Sequence, residues 1–244
     1  MKTRAAIAFD IRWLGWVLPI LVLLALQWGS MRDDAPRYAV APLQILASLR
    51  DLMVSGELWR DAAASLRRSF AGFMVGAALG IGLGLVCSVV RPLREFLDPL
   101  VSLAYPVPKV ALLPVFITWL GFGDGSKIAM IALAVFFPCF INSLYGARSV
   151  SERWVWTARN LGATRLQIFF RVVVPASLPQ VFNGLRSGLA LSFVVLFAAE
   201  MVGSKNGLGN LVMKAEESMR FDLMYAAILS IGLIGFACDR ALLV

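Results

Sequence analysis

Lys109 and Glu200 are ionisable side chains set within long apolar stretches of the chain. An ammonium surrounded by hydrocarbon attracts anions and marks a passage or a charged partner, and a carboxylate in such a stretch can gate or hydrogen-bond across a subunit boundary. Lys109 follows Pro106 and Pro108 and precedes Pro114. Prolines in a helix interior free backbone carbonyls that protein or cavity water has to satisfy, so this stretch is expected to line something. Two readings of Lys109 stay open. Either an anion route passes it, or Pro106 and Pro108 break the helix near the inner interface and the amine reaches water along its own stem. Glu200 is either a simple interfacial carboxylate or part of a gate or inter-subunit hydrogen bond; since it would repel an anion, it is not assigned as a ligand for one. Histidine is absent, and Cys87, Cys139 and Cys238 lie in separate apolar runs, which excludes His-containing zinc sites, Ser-His-Asp triads and CxxC redox chemistry. No catalytic residue, cofactor or metal is expected.

The elements that must position these residues are membrane helices. Of 244 residues 59% are hydrophobic and 16% charged, and the mean hydropathy is +0.78; a water-soluble domain has more charge and less apolar content. The net charge of +8 is spread between apolar runs, which fits orientation in a bilayer and not a nucleic-acid-binding face. Crossing hydrocarbon takes about 20 apolar residues. Six runs approach that length, Trp13 to Trp28, Ser69 to Val90, Leu100 to Leu120, Ile128 to Tyr145, Asn183 to Val202 and Leu223 to Ala241. The expected fold is all-α and polytopic, a single transmembrane domain over residues 1–244. The first run follows Lys2, Arg4 and Arg12 but is bounded by tryptophans and lacks a small-residue cleavage site, so it is read as a retained anchor. Gly72, Gly76, Gly80 and Gly84 recur every four residues in the second run and predict close helix packing. Leu43, Leu46, Leu49, Leu52 and Met53 predict an amphipathic helix lying on the membrane or on neighbouring spans.

With the amino terminus inside, basic residues divide nearly evenly between the two sides, and the decisive segment is Gly146 to Phe182. It holds Arg148, Arg153, Arg159, Arg165 and Arg171 against the single acid Glu152, which marks a cytoplasmic surface. Glu152 to Pro179 reads as two short helices joined at Gly162-Ala163-Thr164, the second carrying Leu166, Phe169, Phe170 and Val173 on one stripe, with Pro175 and Pro179 ending the pattern before the next span. Such a loop is longer than a connection requires; on pattern alone it is either a functional surface or an interfacial helix that rests on lipid.

The loop resembles the EAA loop of permease subunits of bacterial ABC importers. In that pattern a Glu-Ala-Ala triplet is followed after three residues by glycine, and later by a hydrophobic-x-hydrophobic-Pro. Here Trp156-Thr157-Ala158 occupies the triplet, Gly162 falls in place, and Val172-x-Val174-Pro175 completes it. Ser55-Gly56-Glu57-Leu58-Trp59, Leu97-Asp98-Pro99-Leu100, Tyr105-Pro106-Val107-Pro108-Lys109, Trp119-Leu120-Gly121-Phe122-Gly123, Ser126-Lys127-Ile128, Ala199-Glu200-Met201 and Gly207-Leu208-Gly209 are similar to the branch that imports nitrate, sulfonates, taurine or bicarbonate. Members with other cargo, including pyrimidine vitamin precursors, share these motifs.

The resemblance implies a type I ABC importer permease fold in the bacterial cytoplasmic (inner) membrane. It also implies a homodimer, ATPase subunits on the cytoplasmic side, and a periplasmic or lipid-anchored solute-binding protein that delivers a small anionic solute. Trp156, Thr157, Ala158, Leu161, Gly162, Ala163, Leu166, Phe170 and Pro175 would form the ATPase-coupling surface; Lys109, Pro106, Pro108 and Glu200 are the pathway candidates. Trp156 departs from the pattern, whose glutamate would contribute an ion pair to the ATPase; the departure bears on that contact and not on docking as a whole. An ion-coupled secondary carrier is the alternative, but it calls for mid-membrane carboxylates and an internal repeat.

Overall fold

A computed structural model describes residues 14–32 and 35–243. Lys2, Arg4, Arg12 and Trp13, which enter the reading of the first span, and Asp33 and Asp34 lie outside the described residues. The order is α1 (Leu14–Gly29), α2 (Pro42–Val54), α3 (Glu57–Val89), α4 (Arg91–Ala104), a 3-10 turn (Lys109–Leu112), α5 (Leu113–Leu120), α6 (Asp124–Arg148) and α7 (Glu152–Asn160). Then come α8 (Arg165–Ile168), a π turn (Phe169–Val173), α9 (Val174–Met201), α10 (Leu208–Glu217) and α11 (Phe221–Leu243). Every regular element among the described residues is helical.

Among the described residues, four continuous helices are long and apolar enough to cross a membrane: Glu57–Val89, Asp124–Arg148, Arg165–Met201 and Phe221–Leu242. The expected third span, Leu100 to Leu120, is not one helix. Arg91–Ala104 and Lys109–Leu120 meet at 95°: Pro106 and Pro108 have no backbone N–H to donate, and Pro108 itself is extended, with ψ 108°. α4 is amphipathic: Leu93, Leu97, Val101 and Ala104, at helical spacing, pack against Cys87, Phe137, Phe140 and Leu144. α1 has 16 residues, roughly 24 Å of helix, short of the roughly 30 Å hydrocarbon core.

Two further boundaries differ from the sequence reading. α3 begins at Glu57, so Arg60, Asp61, Arg67 and Arg68 are helical and not part of an outer loop. Pro175 and Pro179 do not end the pattern before the fifth span; helix runs from Arg165 through the π turn to Met201. The wider π turn relieves the contact that a proline ring makes with the carbonyl four residues back, so Pro175 is accommodated.

The centre of the fold is α3 and α9 packed on α6. The glycine stripe is the contact. A Cβ on Gly72 would stand 2.6 Å from Ile131 Cβ, one on Gly80 2.6 Å from the Phe136 carbonyl, and one on Gly84 2.6 Å from the Phe140 carbonyl. Contacts that advance together along both helices mean that α3 and α6 run parallel, whereas Gly184 meets Asn142 and Gly188 meets Val135, so α9 runs antiparallel to α6. Met130, Ile131, Val135, Cys139, Leu196 and Ala199 fill the buried space around these helices. The amphipathic α2 rests on a second cluster with Leu208, Leu211, Ala226 and Ala227 through its buried Leu52, and Ser48 Oγ donates to Asp222 Oδ2 at 2.8 Å. Leu43, Leu46 and Met53 stay exposed.

Candidate coupling surface and transport pathway

The corner between α7 and α8 is built by local rules. The Gly162 N–H donates to the Arg159 carbonyl at 2.9 Å and the Ala163 N–H to the Ala158 carbonyl at 3.0 Å, the double closure of a Schellman stop. Gly162 has φ +81°, a conformation that glycine adopts without the Cβ clash other residues meet. The cap of the next helix, Thr164, comes two residues later. Thr164 Oγ1 accepts from the Gln167 N–H at 3.3 Å while Gln167 Oε1 accepts from the Thr164 N–H at 2.8 Å, a capping box.

The corner holds its apolar side chains outward. Trp156 is 63% exposed, Leu161 83%, Leu166 69% and Phe170 60%. Thr157, Gly162 and Pro175 are exposed as well, whereas Ala158 and Ala163 are half-buried against Ala147, Ile168 and Val173. The anticipated stripe of Leu166, Phe169, Phe170 and Val173 is split: Val173 is buried, Phe169 half-buried and the other two point out. The π turn has a longer period than 3.6 residues, so Ile168 and Val173, five apart, are buried in one cluster. A groove runs between Trp154, Ala158 and Leu161 on one wall and Arg171 and Pro175 on the other. A second lies between Val86 and Val89 at the end of α3 and Leu166, Phe169 and Phe170.

Pro106, Pro108 and Lys109 fall together at the α4–α5 bend. Lys109 Nζ donates to the carbonyls of Ala104, at 3.2 Å, and Tyr105, the last turn of α4, where the helix dipole favours a cation. The same ammonium stands 5.2 Å from the Tyr105 ring centre and 4.5 Å from that of Phe137. A mostly apolar cavity opens beside it, lined by Pro108, Val110, Ala134, Phe137, Val194 and Val195 among others.

Glu200 belongs elsewhere, in a buried polar cluster joining α3, α6, α9 and α10. It is fully buried, so the reading as a simple interfacial carboxylate does not hold. Arg68 Nη1 donates to Glu200 Oε1 at 2.6 Å and to the Asn206 carbonyl at 3.0 Å, Nη2 donates to Asn206 Oδ1, and Nε donates to Asp124 Oδ1 at 2.7 Å. Ser65 Oγ donates to Glu200 Oε2 at 2.7 Å. Three successive backbone N–H groups opening α10 are taken up as well: Gly207 donates to Asp61 at 3.1 Å, Leu208 to Ser65 at 2.9 Å and Gly209 to Glu200 at 3.1 Å. Asp61, Ser65, Arg68 and Gly72 share one face of α3, so the polar cluster continues the glycine stripe outward. That spacing is the signal in the sequence that could have identified Arg68.

Over residues 76–242 the sequence matches the family described as binding-protein-dependent transport system inner membrane component. The chain is 34% identical over 230 residues to the taurine transport system permease protein TauC of Escherichia coli (strain K12), covering 91% of this chain and 84% of that one. It is 32% identical over 226 residues to the putative aliphatic sulfonates transport permease protein SsuC of Bacillus subtilis (strain 168), covering 92% and 82%. Among solved structures, an inward-facing conformation of the MetNI methionine ABC transporter superposes with a TM-score of 0.57 at 20% identity, over 73% of this chain and 91% of that chain.

Proposed function

Because the chain belongs to the binding-protein-dependent transport inner-membrane family, it is a multi-pass permease subunit of an ATP-driven ABC importer, and we propose that its cargo is a small anion of the sulfonate class. A permease of this family works with an ATPase and an external solute-binding protein. In our reading two copies of this chain form the passage in the cytoplasmic membrane, and the α7–α8 corner sits in a groove of each ATPase.

The observation that carries the coupling role is the corner itself, a rigid stop-and-start of two helices that leaves Trp156, Leu161, Leu166 and Phe170 uncovered. Burial of exposed apolar side chains in a partner groove is the usual mode of such docking. With Trp156 in the triplet, the contact is apolar where the family pattern would supply a carboxylate. The bend supplies the pathway chemistry: Lys109 places a cation beside a cavity, and its fixed site on α4 carbonyls keeps it there. The relatives' cargo supports the sulfonate class.

The test is uptake into proteoliposomes holding this chain, its ATPase and its binding protein, with labelled taurine and a short alkanesulfonate as probes. ATP-dependent uptake of either is expected. Uptake of a pyrimidine vitamin precursor in their place would overturn the cargo class, and uptake driven by an ion gradient without ATP would overturn the importer reading.

A further inference from the structure

The cluster around Arg68 ties two loops to one helix. Asp124 opens α6 directly after Gly121–Gly123, and Asn206 and Gly207 close the connection from α9 to α10. Arg68 holds both through its fork. Lys127 Nζ adds bonds to the carbonyls of Phe122 at 2.9 Å and Gly123 at 3.2 Å. The loops also touch each other, for a Cβ on Gly203 would stand 2.8 Å from the Phe122 ring. This assembly lies toward the start of α3, while Val86 and Val89 near its end border the groove at the coupling corner; Arg68 and Val86 are about 27 Å apart along the helix at 1.5 Å per residue.

We propose that Arg68 is a positioning residue for transport: it holds residues 121–124 and 202–207 as one closed cap at the end of the bundle opposite the ATPase corner, and the transport cycle requires that cap to release. This rests on the permease reading given above. The chemistry suits a contact that must part. Apolar packing would hold these loops at least as firmly as a buried ion pair, but charged groups regain hydration when they separate, whereas parted apolar surface does not. Water already has a way in, since the Asp124 side chain is 36% exposed while those of Arg68 and Glu200 are 4% and 0%. Arg68 donates to three acceptor groups of the cap at once, the Asp124 carboxylate, the Asn206 carbonyl and the Asn206 side-chain oxygen, a task for a planar fork with five donors and not for a lysine.

Removing Arg68 or Glu200 outright leaves a buried charge without its partner, and such a variant can fail to fold. The test therefore uses Asn206→Ala and Asp124→Asn, which loosen the loop side of the cluster only, in the complete complex of this chain with its ATPase, and measures ATP hydrolysis in the absence of the binding protein. Each variant is expected to assemble at the wild-type amount and to raise that hydrolysis about five-fold, the shift in a two-state equilibrium that losing one hydrogen bond brings. Arg68→Lys, which keeps the charge and loses the fork, is expected to behave the same way. Variants that assemble normally and hydrolyse ATP at the wild-type rate would overturn the cap, as would changes that only follow the amount of assembled complex. Failure of the wild-type complex to import with ATP would overturn the permease reading instead.

Discussion

Gly162 shows how a single backbone angle serves a partner surface. Its positive φ closes the Schellman stop, and a Cβ added there meets no atom of the described residues within 4 Å beyond its two chain neighbours. Within the chain a side chain at this position therefore costs backbone strain alone, about 1 kcal/mol. Asparagine tolerates that conformation and aspartate does so nearly as well. We predict that Gly162→Asp abolishes transport and weakens retention of the ATPase in pull-downs while the amount of permease in the membrane stays unchanged. Normal uptake at normal expression would remove the coupling role from this corner. Gly207 is the opposite case: a Cβ there would lie within 2.6 Å of the Glu200 carboxylate oxygens. Gly207→Ala is predicted to destabilise the folded chain by about 2 kcal/mol through displacement of the buried carboxylate, read as a lower thermal midpoint of the purified protein.

At the scale of elements, the α3–α6 contact and the α4–α5 bend respond to different changes. Gly80 holds α3 against the Phe136 carbonyl and Cys139, and helices in a membrane associate through such close backbone approach. Gly80→Leu is predicted to force the pair apart and to deplete folded permease from the membrane, seen as loss of the monodisperse peak in detergent chromatography. The bend is held by Lys109 on the carbonyls that end α4. Lys109→Gln can still donate to a carbonyl but places no charge beside the cavity, so uptake of an anionic cargo should fall several-fold with ATPase retention intact, since an attractive charge has left a low-dielectric route. Unchanged uptake kinetics would assign Lys109 to holding the bend alone.

For the whole molecule, the expected orientation puts Gly146 to Phe182 in the cytoplasm and Gly29 to Arg68, Gly121 to Lys127 and Gly203 to Asp222 outside, residues 57–68 being the opening turns of α3. Ser151 and Thr164 are exposed, so cysteines placed there report directly once Cys87, Cys139 and Cys238 are replaced. We predict that an impermeant thiol reagent reaches them from the cytoplasmic side only. Labelling from outside intact cells would invert the topology, and with it the assignment of the α7–α8 corner to the ATPase.

What the sequence determined by itself follows from short-range rules. Apolar runs bounded by charge locate spans because hydrocarbon cannot solvate the backbone. Gly162 followed by Thr164 and Gln167 encodes the stop and the new start within six residues, and Pro106 with Pro108 encodes an interruption, though not its 95° angle. The length of α3 was hidden because its first turns are charged and look like loop until their partners are known. The π turn was hidden because periodicity arguments assume a constant 3.6 residues per turn. The glycine stripe announces a close neighbour but not which one, and only packing made it α6. Arg68 and Glu200 lie 132 residues apart, and nothing local joins them. Their pairing was decided by the tertiary structure, since burial of α10 and of two loops removes water from both groups and leaves them to bond each other, Ser65, Asp124, Asn206 and the Gly209 N–H.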